Sequence, residues 1–270
     1  MRTVRLRIAY DGTDFHGWQR QALPSKSGDA AAAKPGSAGS RRSVQECIEY
    51  ALARIHRHPV AVTGAGRTDA GVHAVGQVAC FRTDIKSMDP GRFVPALNGF
   101  LPRDIRVLEA AETIPDFHAR FDASSRTYRY HFICGRHALP HENRYALQMW
   151  RRPRMDLLNS YCRLLLGEID CSVFAATGDS SKSSSRHITR AVFLPEGNGL
   201  VFEIRANAFL WKMVRSVAGT LLHYEEKSAA PELMRDVIAS RDRGLAGPTL
   251  PPHGLFLWKV DYYRGNGNPG

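Results

Sequence analysis

Hydrophobic periodicity switches between two and about 3.6 residues along this 270-residue chain, and a chain patterned in that way folds as short strands interleaved with short helices. Met1-Arg2-Thr3-Val4-Arg5-Leu6-Arg7-Ile8-Ala9-Tyr10 alternates as a strand rather than as a signal peptide. Ser43 and Glu46 then form a capping-box pattern, with Val44, Cys47, Ile48, Ala51, Leu52 and Ile55 at helical spacing behind it. Strand patterns over 59–63 and 75–82, a short helix near 89–99 and a strand near 104–109 complete a first half, residues 1–115. The second half, 116–270, repeats the alternation. A strand over 126–134 precedes a helix over 154–166, which carries Met155, Leu158, Cys162 and Leu165 on one face and stops at Gly167. Strands near 187–195 and 199–206 follow. Leu210, Met213, Val214, Val217 and Leu221 mark a further helix, Pro231 opens another, and 255–260 is a terminal strand. Two α+β halves of similar element order are predicted, with no repeat at the level of residues.

Residues 22–42 are small, polar and punctuated by Pro and Gly, so they have almost nothing to bury and read as a mobile surface insertion. The polar stretch 177–186 reads either as an inert linker or as an arm that touches phosphate. An excess of 37 Lys plus Arg over 26 Asp plus Glu gives a net charge of +11, which favours a polyphosphate partner. No apolar run is long enough to span a bilayer. Five cysteines, at 47, 80, 134, 162 and 171, include no C-x-x-C pair and no His at zinc-ligand spacing, and are read as reduced, packed thiols of a cytoplasmic protein.

Between the strand patterns lies Gly64-Ala65-Gly66-Arg67-Thr68-Asp69-Ala70-Gly71-Val72-His73-Ala74, which sets one carboxylate and one guanidinium in a glycine-rich bend. Glycines at 64, 66, 71 and 76 permit positive φ and close approach of another backbone or a ligand. Such a bend can hold Asp69 in a cleft; it can equally be a tight turn in which Asp69 bonds its own backbone. Phosphate-loop, nucleophile-elbow, zinc-protease and dinucleotide-binding signatures are absent, so no cofactor and no metal are indicated. His56-Arg57-His58 reads as the solvated last turn of a helix.

Aromatic and basic residues are interleaved where a base could stack and its phosphates be held: Phe117-His118-Ala119-Arg120-Phe121 and Arg126-Thr127-Tyr128-Arg129-Tyr130. On a strand Tyr128 and Tyr130 share one face and Arg129 takes the other. A third cluster, Arg205 to Arg215, puts Arg215 on the helix that follows a strand.

The Gly-Arg-Thr-Asp-Ala-Gly-Val-His segment resembles the tRNA pseudouridine synthase A family, as does Asp11-Gly12-Thr13-Asp14-Phe15-His16-Gly17-Trp18-Gln19-Arg20. Further segments similar to the family are Arg42-Ser43-Val44-Gln45-Glu46, Phe117 to Phe121, Tyr128-Arg129-Tyr130, and Ala206-Asn207-Ala208-Phe209 with Met213-Val214-Arg215. The likeness spans nearly the whole chain; it departs at 22–41, where family members run almost directly from Trp-Gln-Arg into the helix.

This resemblance implies two ferredoxin-like, RRM-like halves sharing a central, mainly antiparallel sheet. It also implies a homodimer that isomerises uridine to pseudouridine in the anticodon arm of tRNA, at tRNA positions 38, 39 and 40. By matching position Asp69 is the catalytic aspartate, Tyr128 stacks on the target base, Arg67 helps to hold the displaced nucleotide, and Arg215 pairs with the aspartate. Phe117, His118, Ala119, Arg120, Phe121 and Arg126 are expected RNA-binding residues. A single carboxylate suffices for either of two routes, covalent addition to the nucleotide or removal of the C2′ proton, whereas hydrolytic glycosidases generally use two. The competing readings are a non-catalytic RRM-like RNA-binding module and a phosphate-handling enzyme whose bend is an anion nest. A carboxylate at the centre of such a nest would repel phosphate, and a pure binder has no need of one.

Overall fold

A computed structural model of the chain describes residues 1–19 and 42–263, so the 22–42 segment, apart from Arg42, lies outside the described residues. It forms two compact units, Met1–Ser124 with Leu257–Gly270, and Ser125–Phe256.

In the first unit, β1 (Arg2–Tyr10) buries Val4, Leu6, Ile8 and Tyr10. This is the alternation that a strand with one covered face requires. Next, α1 (Val44–His56) begins where the Ser43 Oγ accepts from the Glu46 amide at 3.2 Å and the Glu46 carboxylate accepts from the Ser43 amide at 2.8 Å. That reciprocal cap satisfies two orphan donors. The helix ends at Arg57, whose left-handed backbone (φ 61°) returns its amide to the Ala53 carbonyl at 2.9 Å. Then follow β2 (Thr63–Gly64), β3 (His73–Thr83), α2 (Phe93–Phe100) and β4 (Ile105–Thr113). The strand order is β4–β1–β3–C-terminal strand (Leu255–Tyr262), with β2 beside β3. The pairs β1–β3, β1–β4 and β2–β3 are antiparallel.

Two expectations are corrected here. The strand read over 59–63 reduces to Thr63, because the Val62 amide and carbonyl bond to Glu49 Oε1 (3.2 Å) and Gln45 Nε2 (3.2 Å) on α1 instead of to a ladder. His56 is not solvated: it is buried, with its ring nitrogens 2.9 Å from the Leu52 carbonyl and 2.8 Å from Thr83 Oγ1, and its ring stacks on Phe93. Arg57 and His58 of that turn are exposed, and His58 lies 3.1 Å from Asp84.

In the second unit, β5 (Ala123–Cys134) is followed by β6 (Leu147–Met149), α3 (Met155–Arg163), β7 (Gly167–Asp170), β8 (Ser185–Glu196), β9 (Gly199–Ala206), α4 (Met213–Glu226) and α5 (Leu233–Ser240). The antiparallel order is β5–β9–β8–β7, with β6 parallel to β5 at its far end. Tyr130, Phe202 and Phe193 stand opposite one another across three strands and form a fully buried aromatic row. On the other face Glu203 accepts from Arg129 Nε at 2.7 Å and from Arg190 Nε at 2.5 Å. The strands β6 and β7 were not anticipated.

All five cysteines are buried and unbridged, and burial pushes the Cys47, Cys162 and Cys171 thiols up to about 12. Among the described residues no helix is long and apolar enough to cross a membrane. None of them forms a group of three or more His, Cys, Asp or Glu that could hold a metal ion.

Candidate active site

The segment between β2 and β3 is a loop fixed from below. The Ala65 amide donates to the Val78 carbonyl at 2.8 Å and Gln77 Nε2 donates to the Gly66 carbonyl at 2.8 Å, which holds its start on β3. Thr68 is buried, and its hydroxyl meets the Tyr10 hydroxyl at 2.8 Å. The Val72 amide returns to the Asp69 carbonyl at 3.1 Å, and Gly71 between them takes φ 78°. Asp69 thus opens a closed turn and is half-buried, between buried Thr68 and exposed Ala70, with Arg67 exposed two residues before it. Such a turn presents one carboxylate with a fixed backbone.

The 11–18 turn packs backbone on backbone against this loop. The Trp18 amide donates to the Thr68 carbonyl at 3.1 Å, and the Gly12 amide donates to His73 Nδ1 at 3.0 Å. Gly17 adopts φ 102°, and a β-carbon there would stand 2.3 Å from the Thr68 carbonyl oxygen; one at Gly12 would stand 2.0 Å from that of Val72. Only glycine fits at either point. These contacts unite two motifs that the sequence keeps about fifty residues apart. Thr68 and His73 stand in the motif and Gln77 in the strand pattern that follows it, but the sequence gives none of the three a role, since nothing local distinguishes a buried polar side chain that supports a loop.

The Phe117–Phe121 stretch divides between inside and outside. Phe117 and Ala119 are buried, with the Phe117 ring 5.0 Å from that of Tyr262 and the Ala119 carbonyl accepting from the Tyr262 hydroxyl at 2.8 Å. Arg120 and Phe121 are exposed, and the Phe121 ring stacks on half-buried His118 at 4.2 Å. Two residues hold the segment down and three present it.

In the second unit, Tyr128 lies on β5 opposite Ile204, buried, with its ring edge-on to Phe209 at 5.1 Å. The turn bearing Phe209 is organised by Asn207, whose side-chain oxygen accepts from the amides of His187 (3.0 Å) and Ala208 (2.8 Å). Buried Arg126 donates to the Asn207 carbonyl at 2.8 Å, which ties that turn to β5. Past the turn, Lys212 enters α4 with φ 59°. A non-glycine residue held in the left-handed region must be held there by its surroundings. Arg215 is half-buried on α4, donating from Nε to the Leu250 carbonyl at 2.6 Å. Burial holds His253 below the usual histidine range and the Arg215 charge adds to it; burial likewise pushes the Tyr130 phenol up, opposed by Arg215.

A family profile described as tRNA pseudouridine synthase matches residues 8–122 and 161–263. The chain is 50% identical over 261 residues to tRNA pseudouridine synthase A of Treponema denticola, covering 97% of this chain and 93% of that protein. It is 46% identical over 253 residues to the Treponema pallidum (strain Nichols) protein of the same name, covering 94% and 85% of the two chains. With tRNA pseudouridine synthase A of Shouchella clausii it shares 38% identity over 263 residues, covering 97% and 94%. With the motif loops, the mainly antiparallel α+β units and full-length likeness in agreement, the chain belongs to the tRNA pseudouridine synthase family.

Proposed function

We propose that this protein isomerises uridine to pseudouridine in the anticodon arm of tRNA, at tRNA positions 38, 39 and 40, as a cytoplasmic homodimer, with Asp69 as the reacting carboxylate. The observation that carries the reading is the Asp69 loop, which is anchored through its neighbours and offers one carboxylate. The reaction breaks the C1′–N1 bond, turns the uracil and forms C1′–C5, while the C5 proton leaves and N1 gains one. Atoms and electrons balance within the nucleotide, so neither a redox partner nor a group donor is consumed. Asp69 either adds to the nucleotide or takes the C2′ proton, and in both routes it acts ionised.

A paired or stacked uridine must leave its stack to reach a carboxylate, at a cost of a few kcal/mol. Stacking on an aromatic ring is worth about 1–3 kcal/mol per base, which offsets much of that cost, and Tyr128 is the ring assigned to it. Arg67, Arg215, Arg126, half-buried His118 and the exposed Arg120 and Phe121 supply charge and stacking surface for the RNA, while Phe117 and Ala119 hold their segment in place. We assign the Tyr128 hydroxyl to the late C5 proton. Tyr128→Phe is then expected to lower single-turnover product formation at least about tenfold with tRNA affinity retained. Product at the normal rate would restrict Tyr128 to stacking.

The reading is tested with purified protein and tRNA transcripts carrying single uridines at 38, 39 or 40, or at sites outside the anticodon arm. Pseudouridine should form in the first set alone. Binding without product would instead identify a non-catalytic RNA-binding module.

A further inference from the structure

We infer that His73 is a positioning residue for the Asp69 loop, acting as the hydrogen-bond acceptor that sets the 11–18 turn in register against it; this rests on the reading of Asp69 as the reacting carboxylate. His73 is fully buried at the start of β3, where a purely apolar side chain would satisfy packing. Its Nδ1 accepts from the amide of Gly12, itself buried, at 3.0 Å. An imidazole nitrogen that accepts from an amide does so through its lone pair, so at this contact Nδ1 is the acceptor. Asp11 Oδ1 lies 3.1 Å from the same Nδ1 and is taken up by Thr13, accepting from its amide at 3.0 Å and from its hydroxyl at 2.6 Å. The Asp11–Thr13 turn therefore delivers the Gly12 amide to His73 in a fixed direction.

The two ends of the contact bracket Asp69. One hydrogen bond joins Trp18 to Thr68, immediately before Asp69; the other joins Gly12 to His73, four residues after it. Between them the Val72 amide closes on the Asp69 carbonyl, and the Val72 carbonyl leaves no room for a side chain at Gly12. A shift of the turn at Gly12 is thus passed to Val72 and through the closed turn to Asp69. Removing the acceptor at residue 73 leaves a buried N–H unmet and frees that end of the bracket.

The test separates an acceptor from a buried shape. Asparagine can place its side-chain oxygen where Nδ1 stands, whereas glutamine reaches past it and leucine offers no acceptor. His73→Leu is expected to lower kcat at least tenfold with KM for tRNA within about twofold, because small displacements of a reacting group act on turnover. His73→Asn should recover most of that loss, and His73→Gln should not. If the leucine variant does not fold, the Asn and Gln pair carries the same comparison, with circular dichroism confirming that both fold. Unchanged kcat in the leucine or glutamine variant, an asparagine variant as slow as glutamine, or a change confined to KM would each overturn the inference. Asp69→Asn run beside them tests the underlying reading independently: full turnover in that variant removes Asp69 from the chemistry whatever the His73 series shows.

Discussion

Asp69→Asn is expected to bind tRNA as tightly as the unaltered protein and to form pseudouridine more than about 10³-fold more slowly, the scale on which loss of a covalent or proton-abstracting group acts. The amide is close to isosteric with the carboxylate, so the closed turn, made by the Val72 amide and the Asp69 carbonyl, is retained. What disappears is the charge. Neither an addition to the nucleotide nor removal of the C2′ proton proceeds from a neutral amide. Filter binding or fluorescence anisotropy measures the affinity, and tritium release from C5-labelled uridine measures the chemistry. Residual turnover within tenfold of the unaltered protein would move the reaction to another group.

Gly17→Ala is expected to combine a catalytic and a stability loss without touching a functional side chain. At φ 102° an alanine is strained, and its β-carbon would meet the Thr68 carbonyl oxygen at 2.3 Å and the Asp69 carbonyl carbon at 3.0 Å. Neither neighbour is the movable end of a side chain, so the two backbones must part. We expect folding stability to fall by about 1–3 kcal/mol, the usual cost of forcing volume into a packed site. Turnover should fall by about 10²-fold, since displacement of the loop carries Asp69 with it. Urea unfolding and single-turnover rates check the two parts separately. Unchanged turnover would show that the 11–18 turn has no influence on where Asp69 sits.

What the sequence carried well were features decided by neighbours along the chain. The Ser43–Glu46 box marks the start of α1 because its partners lie three residues apart, and β9 shows itself through Leu200, Val201, Phe202, Ile204 and Ala206. Features decided by distant partners were hidden. Residues 59–63 look like a strand, yet the Val62 backbone is claimed by Gln45 and Glu49 on a helix. His56 looks like a polar end of a helix until Thr83 and Phe93 close around it. The strands β6 and β7, of three and four residues, are too short for a period to show. At the candidate site the glycine-rich bend was legible, and with it the choice between a plain turn and an active-site loop; the resemblance, and not the spacing, pointed to the second. The bracket formed by Gly12, Gly17, Thr68 and His73 was not legible, because its hydrogen bonds span 50 residues or more of sequence and leave no periodic trace.

The most direct measurement is a pseudouridine map of tRNA from cells lacking the gene, complemented with either the unaltered protein or the Asp69→Asn variant. The account predicts loss of pseudouridine at tRNA positions 38, 39 and 40 without the gene, full return with the unaltered protein and none with the variant. Modification restored by the variant, or lost sites lying outside the anticodon arm, would contradict it.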